Sequence, residues 1–420
     1  MSEPSASRRP TPITVDADGR LALPPELAAR LGLLPGAQAA YLLEDGALRI
    51  LPAADHLQRV YVEPTNLCNL DCVTCMRHAW DESSGWMSDA TFARVLEGLA
   101  QFSPLPEVFF GGYGEPLAHP RIVELLAAAK RLGAHAELIT NGTLLTAQMA
   151  ARLVDAGLDR LWVSIDGASP QGYADVRLGD RLPEVLANLE SLRALCHQRE
   201  HAPRLGIAFV AMKRNIHELP DVIRLGRRLG ADQFSISNLL AHTPELVSEL
   251  LYGRSYFESD QPFSTWAPQL HLPRLEMNEW VAPALTKVLA GRSNPVIAGQ
   301  TLRLGAQTCP FFEKRSLSVR WDGSISPCLP LLHEHTSYLD KTQRLVKAHS
   351  FGRLEAQSLV EIWQSEPYRA FRMRLQSFDF APCMTCNSCE FVESNQEDCF
   401  GNTAPTCGGC LWGQGFIRCP

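Results

Sequence analysis

Glu63-Pro-Thr-Asn-Leu-Cys68-Asn-Leu-Asp-Cys72-Val-Thr-Cys75-Met-Arg77 sets three cysteines at C-x3-C-x2-C spacing. From one short loop, three thiolates can reach a single metal centre. Three ligands leave one iron of a four-iron cubane open, as a catalytic zinc with three protein ligands keeps a position for its reactant. The same spacing also admits half of a structural zinc site, or buried cysteines packing as small hydrophobes.

The rest of the chain narrows these choices. Its 420 residues suffice for two to three domains, and 45% hydrophobic with 20% charged residues is ordinary for a globular protein. A net charge of -7 argues against nucleic acid as the main partner, because phosphate binding needs clustered Lys and Arg. No leader-like apolar segment follows Arg8-Arg9, and no apolar run approaches about 18 residues, so the expectation is a cytoplasmic protein with no membrane span. In that compartment thiols stay reduced, and thirteen cysteines point to metal or clusters before disulfides. Twelve of them fall within 68–75 and 309–419; Cys196 lies alone in an amphipathic segment and reads as a core thiol.

Working outward from the loop, the run from Arg59 to about Leu240 alternates strand and helix. Val60–Val62, Val108–Phe110, Ala136–Thr140, Leu161–Ile165, Leu205–Val210 and Phe234–Ser237 suit strands. Ser88 can cap a helix that presents Phe92, Val95, Leu96 and Leu99 on one face, and 122–132 gives another. Six such units over 58–240 predict an α/β fold, a parallel sheet curled into a partial (β/α)6 barrel with reactive loops at the C-terminal strand ends. The cysteine loop follows the first strand. Residues 1–11 read as a disordered tail. Residues 12–54 show a ββαββ order with an Asp45-Gly46 turn, 241–308 a connector that could cover a substrate cavity, and 309–420 a cysteine-rich domain.

The cysteine spacing resembles the signature of the radical S-adenosylmethionine (SAM) superfamily, whose open iron chelates SAM. Further segments at successive strand ends resemble that family in order: Gly111-Gly112-Tyr113-Gly114-Glu115-Pro116, Thr140-Asn141-Gly142, Ser164-Ile-Asp166-Gly167 and Arg177. The resemblance implies that Gly112, Gly114 and Glu115 bind the methionine amino group largely through backbone oxygens. It implies that Asn141, Ser164 and Asp166 bind ribose hydroxyls or the carboxylate, that Arg177 sits near the carboxylate, and that Met212 and Asn215 close around adenine. Taken singly, a Gly-rich loop is a turn, Asn-Gly is a left-handed turn pair and an Arg is a surface charge.

Cys309, Gly323, Cys328, Cys383-Met-Thr-Cys386 and Cys419 resemble the SPASM extension, which implies two auxiliary 4Fe-4S clusters. Cys389, Cys399, Cys407 and Cys410 complete nine cysteines for eight positions, and their spacing departs from the usual one. The pairs Cys386/Cys389 and Cys407/Cys410 also imitate a zinc ribbon. Gly19-Arg-Leu-Ala-Leu-Pro-Pro-Glu-Leu27 resembles the AbrB-like swapped-hairpin fold. Its near-balanced charge favours dimerisation or protein docking over DNA, the bland reading being a cap on the catalytic domain.

This front end and the tail Asp398–Pro420 together resemble the radical SAM maturases of tungsten-cofactor (aldehyde ferredoxin-type) oxidoreductases. That resemblance implies anaerobic chemistry, an electron donor such as ferredoxin or flavodoxin, and an oxidoreductase or peptide as partner. Two rivals remain at this point. One is a SPASM peptide-modifying enzyme that forms thioether or carbon cross-links or matures a sulfatase; the other is a redox-sensing DNA-binding regulator.

Overall fold

The computed structural model describes residues 14–30, 33, 40–44, 47–51, 56–177, 179, 181–199, 201–252, 296–297, 300–301, 309–339, 342–384 and 389–420. The tail 1–11, most of the connector and Cys386 lie outside these residues. Contacts divide the chain into two units, 1–56 and 57–420.

In the first unit β1 (Thr14–Val15) pairs antiparallel with β2 (Leu21–Ala22), α1 (Pro25–Arg30) follows, and β3 (Ala40–Glu44) pairs with β4 (Ala47–Leu51). The ββαββ order expected from the alternating pattern is therefore present. Asp16 shapes the first turn by accepting from Asp18 N at 3.0 Å and Arg20 N at 2.7 Å.

The second unit is built on β5 (Arg59–Val62), β6 (Glu107–Phe110), β7 (Ala136–Thr140), β8 (Arg160–Ser164), β9 (Arg204–Ala211) and β10 (Ala231–Asn238). These pair in parallel in sequence order. Between them run α2 (Asp89–Leu99), α3 (Ile122–Arg131), α4 (Ala147–Asp155), α5 (Pro170–Arg177), α6 (Leu182–Cys196) and α7 (Leu219–Arg228). Ser88 Oγ accepts from Thr91 N at 3.0 Å, so α2 starts at the expected cap. Val60, Val62, Val108, Phe110, Leu138 and Val163 are fully buried, each contributing roughly 1.5–3 kcal/mol to the core. Cys196, expected in the core, is only half-buried, at the last residue of α6.

Two small strands, β11 (Val296–Ile297) and β12 (Gln300–Thr301), form a separate pair. After α8 (Pro310–Glu313), β13 (Ser316–Val319) pairs in parallel with β5. It is followed by β14 (Ser324–Ser326), with a hairpin of β15 (His335–Leu339) and β16 (Thr342–Val346) before β17 (Gly352–Arg353), α9 (Leu359–Gln364) and α10 (Glu366–Ser377). The result is one nine-stranded mixed sheet, β10-β9-β8-β7-β6-β5-β13-β14-β17. Tyr338 N donates to Ala241 O at 2.8 Å, and β15 also touches the turns Met76–Ala79 and Pro244–Glu249. The hairpin thus lies beside the C-terminal ends of the parallel strands. No helix among the described residues is long and apolar enough to cross a membrane.

Candidate active site

The cysteine loop begins where β5 ends, and its two ends are tied together. Thr65 Oγ1 donates to Gly85 O at 2.7 Å, Asn66 Nδ2 to Ser83 O at 3.0 Å, Gly85 N to Asn66 Oδ1 at 2.8 Å and Met87 N to Pro64 O at 2.7 Å. The intervening chain is a closed loop, and Val73 N donates to Val176 O at 3.0 Å, fixing it to α5. Each of the three sulfurs meets N–H donors. Cys68 Sγ accepts from Leu70 N at 3.4 Å and Asn141 Nδ2 at 3.8 Å, Cys72 Sγ from Arg177 Nη1 at 3.5 Å, and Cys75 Sγ from Arg77 Nε at 3.1 Å. Such donors favour the thiolate and tune a cluster bound to it.

Around this loop the strand ends supply the residues singled out above. Gly112 lies against the Glu63 side chain, and a Cβ on Gly114 would come within 2.2 Å of Thr65 O, so only glycine permits this backbone approach. Glu115 is buried, and its carboxylate accepts from Leu117 N at 3.0 Å, Thr140 Oγ1 at 2.7 Å and Asn141 N at 2.7 Å. Burial pushes its pKa up, against the pull of those three hydrogen bonds. Its side chain therefore holds the β6 and β7 loops together. Asn141, in the loop after β7, also reaches Asn69 Oδ1 at 2.9 Å.

Ser164 ends β8 and is half-buried. Asp166, fully buried, accepts from Val210 N at 2.7 Å and pairs with Arg177 Nη2 at 2.5 Å. Burial would lower the Arg177 pKa, but Asp166 and Cys72 outweigh it and hold the guanidinium charged. Asn215 clasps this corner, donating to Asp166 O at 3.1 Å and Val210 O at 2.8 Å and accepting from Met212 N at 2.8 Å. Two buried polar atoms here, Arg177 Nε and Tyr173 Oη, have no partner among the described residues. Three thiols with N–H donors, a fixed guanidinium and orphaned polar atoms beside them suit an iron-sulfur cluster carrying a polar ligand.

Several residues that shape the site escaped the sequence reading. His333 is wholly buried between two carboxylates, with Nε2 at 2.9 Å from Glu63 Oε2 and Nδ1 at 2.7 Å from Glu82 Oε2. Glu63 and Glu82 flank the cysteine loop on either side. Arg320 also pairs with Glu82, while Tyr113 N donates to Glu63 Oε1 at 3.2 Å and Tyr113 Oη to Leu329 O at 3.3 Å, next to Cys328. Glu218 caps the start of α5, accepting from Ala168 N at 2.6 Å and Ser169 N at 2.9 Å, and these bonds hold its pKa low despite partial burial. Nothing in residue type marks these groups, because their partners are far away in sequence.

In the C-terminal block Cys309 caps α8 and Cys328 precedes the turn Leu329–Leu331. Burial, then the neighbouring Cys309, Cys410 and Cys407 thiolates, push the Cys328 thiol well up, and burial with Cys410 pushes Cys309 up to about 12. These four cysteines share one buried region. The Cys407-Gly-Gly-Cys410 turn packs so closely that a Cβ on Gly408 would lie 1.7 Å from Ala381 O. Cys383 is buried near Arg344 and Cys419 near Trp412, whereas Cys389 and Cys399 are exposed. Among the described residues, no three Cys, His, Asp or Glu side chains are close enough to hold a single metal ion.

A family model of the Radical SAM superfamily matches residues 62–226, and one described as an iron-sulfur cluster-binding domain, SPASM, matches 309–390. The chain is 32% identical over 377 residues to the tungsten-containing aldehyde ferredoxin oxidoreductase cofactor-modifying protein of Pyrococcus furiosus, covering 87% of this chain and 97% of that protein. It is 26% identical over 360 residues to a PqqA peptide cyclase of Gluconobacter oxydans, covering 82% and 88%. Among solved structures, Streptococcus suis SuiB bound to S-adenosylmethionine shares the fold, with a TM-score of 0.51 at 15% identity over 79% of this chain and 71% of SuiB. The chain belongs to the radical SAM superfamily of enzymes, in the group that carries a SPASM iron-sulfur cluster-binding domain.

Proposed function

We propose that this enzyme is a maturase for a tungsten-dependent oxidoreductase of the aldehyde ferredoxin type, altering its cofactor or its polypeptide. The observation that carries the reading is the closed three-cysteine loop with N–H donors on every sulfur, in a chain that aligns with 97% of a cofactor-modifying relative. Cys68, Cys72 and Cys75 would hold a 4Fe-4S cluster, and the bound cluster with SAM would supply one-electron radical chemistry that removes hydrogen from the substrate.

The chain's own residues bind and orient. The Gly112–Glu115 backbone meets the methionine amino group while the Glu115 carboxylate fixes the Thr140–Asn141 turn. Arg177, pinned by Asp166, would offer its guanidinium charge to the carboxylate of SAM. Asn141 and Ser164 would meet the ribose and Met212 and Asn215 would close the adenine side, the burial of Asn141, Met212 and Asn215 excluding water. Cys309, Cys328, Cys407 and Cys410, which share one buried region, would furnish ligands of one auxiliary cluster, and Cys383, Cys386, Cys389, Cys399 and Cys419 offer the thiolates for a second.

A ferredoxin or flavodoxin delivers the electron in the cytoplasm. The first unit is AbrB-like and pairs two chains, since Val15, Leu21 and Leu27 stand 57%, 45% and 37% exposed on it. Anaerobic reconstitution with SAM, dithionite and the oxidoreductase, followed by mass spectrometry of its polypeptide and cofactor, tests the assignment. Cys72→Ala should form no 5'-deoxyadenosine; turnover persisting in that variant refutes SAM cleavage at this loop. An unchanged oxidoreductase with a modified peptide instead favours the activity named for the Gluconobacter relative.

A further inference from the structure

Among the described residues, one buried cation of the C-terminal block has no carboxylate to answer it. Arg344, on β16, is 7% exposed. The backbone that carries it is locked on both sides: Arg344 pairs with Ser337 on β15, Leu345 bridges to Ser394, and Lys347 N donates to Asn395 Oδ1 at 2.9 Å. Arg59, Arg160 and Arg177, which also lie deep in the protein, each meet a carboxylate. Arg344 meets none among the described residues. Its Nη1 donates to Val392 O at 2.6 Å, and its Nη2 has no hydrogen-bond partner there. Burying a guanidinium with no anion beside it is strongly unfavourable, so an anion belongs at this place.

Cysteines surround it. The guanidinium lies against Gly409, inside Cys407-Gly-Gly-Cys410, where a Cβ would come within 2.6 Å of both its Cζ and its Nη1. It hydrogen-bonds the Cys383 side chain. Val392, its backbone acceptor, sits in the turn that Cys389 opens, and Val392 N donates to Cys389 O at 3.3 Å. Three separate stretches of the cysteine block thus meet on one side chain. Burial lowers the Arg344 pKa, and negative charge on Cys383, Cys410 and Cys407 opposes this. As thiols these cysteines leave the cation unanswered; as thiolates ligating a cluster they answer it.

Resting on the reading that these cysteines ligate auxiliary clusters, we propose that Arg344 is a positioning residue of that site. It is the built-in counter-charge that draws the Cys383 thiolate and the Cys407/Cys410 pair together and raises the reduction potential of the iron-sulfur centres they bind. Reduction adds an electron to a centre already negative, so a cation in the low-dielectric interior favours the reduced form. A hydrogen bond to a ligating sulfur acts in the same direction. Gly409 belongs to the device: a side chain there would push the far end of Arg344 away and leave both cysteines where they are.

The test uses the full chain, reconstituted anaerobically, with iron and acid-labile sulfide counted and the iron-sulfur EPR signals titrated against potential. Added SAM marks the signal of the Cys68, Cys72 and Cys75 loop; signals it leaves unchanged belong to the auxiliary centres. At the parent's auxiliary midpoint, Arg344→Gln should lower the reduced-to-oxidised ratio about tenfold, a shift of about 59 mV for one electron. Arg344→Lys keeps the charge and should stay within about threefold of the parent. Gly409→Ala keeps the charge and both cysteines but displaces the guanidinium, and should move the ratio in the same direction as Arg344→Gln. The SAM-sensitive signal should hold its potential in all three. Should Arg344→Gln lose iron that Arg344→Lys retains, the charge is what holds the site, as proposed. Equal iron loss in both overturns the proposal by making Arg344 a packing residue, and so does an auxiliary ratio unmoved in Arg344→Gln or moved equally in Arg344→Lys. A parent whose iron and sulfide fill the SAM-sensitive cluster alone sinks the auxiliary-cluster reading instead, and with it the anion that Arg344 answers.

Discussion

Glu115 and His333 show how single side chains hold this site without touching its chemistry. Replacing Glu115 with Ala removes the common acceptor of Leu117 N, Thr140 Oγ1 and Asn141 N, leaving buried donors unsatisfied. We expect Glu115→Ala to cost about 3 kcal/mol or more, read from the urea midpoint of the apo chain. His333 carries a pH signature. Burial opposes its charge, but Glu63 and Glu82 win and raise its pKa above 6.5. A folded pKa above the unfolded one gives stability that is complete below pH 6.5 and is lost as pH rises through the folded value. The groups facing the ring are Glu63, Glu82, Trp80, Tyr113 and, through Glu82, Arg320. The difference in melting temperature between the parent and His333→Gln should therefore shrink from pH 6.5 upward; a difference that grows would assign the stabilisation to another group.

Among the elements, β5, β7, β8 and β10 are bound to one another near their N-terminal ends by a buried charge network. Glu137 accepts from Arg59 Nη2 at 2.9 Å and Trp162 Nε1 at 3.0 Å, and Arg160 on β8 reaches Asp232 on β10 at 2.7 Å. Burial alone would raise the Glu137 pKa, yet His135, Arg59 and Trp162 bring it down to about 2. The stability it lends is present above 4.5 and lost as pH falls toward 2, at most about 3 kcal/mol. Glu137→Gln should lower neutral-pH stability and flatten the acid limb of a pH–stability curve; an unaltered acid limb would show that other carboxylates dominate it. The six parallel strands are legible in the sequence because each is a short apolar run between helical patterns. The sheet's continuation through β13 is not legible, because Ser316-Leu-Ser-Val319 reads as an isolated alternating segment whose partner β5 is far off in the chain. At the site, Cys68, Cys72, Cys75 and the Gly112–Glu115 turn announce themselves by spacing. Glu63, Glu82 and His333 do not, since only the fold brings them to the strand ends.

For the molecule as a whole, the join between β5 and β13 decides whether the SAM-binding core can stand without its C-terminal extension. Val60, Tyr61 and Val62 on β5 are fully buried, as are Leu317 and Val319 on β13, which pairs with it in parallel. Removing residues from 309 onward would turn β5 into an open edge, with its N–H and C=O groups unpaired beside an apolar face. The same cut takes away His333, the partner of Glu63 at the end of that strand, and Val319 O, which accepts from Glu63 N. Gly98 would also lose Leu359, against which α2 packs too closely for any side chain. The SPASM extension is thus part of the core's own structure and not a module appended to it. A chain ending at residue 308 should be insoluble or elute as aggregate on size exclusion even when iron and sulfide are supplied. A soluble, monodisperse product of that length that still cleaves SAM would show that β5 tolerates an open edge, and that the shared sheet contributes little to holding the cysteine loop.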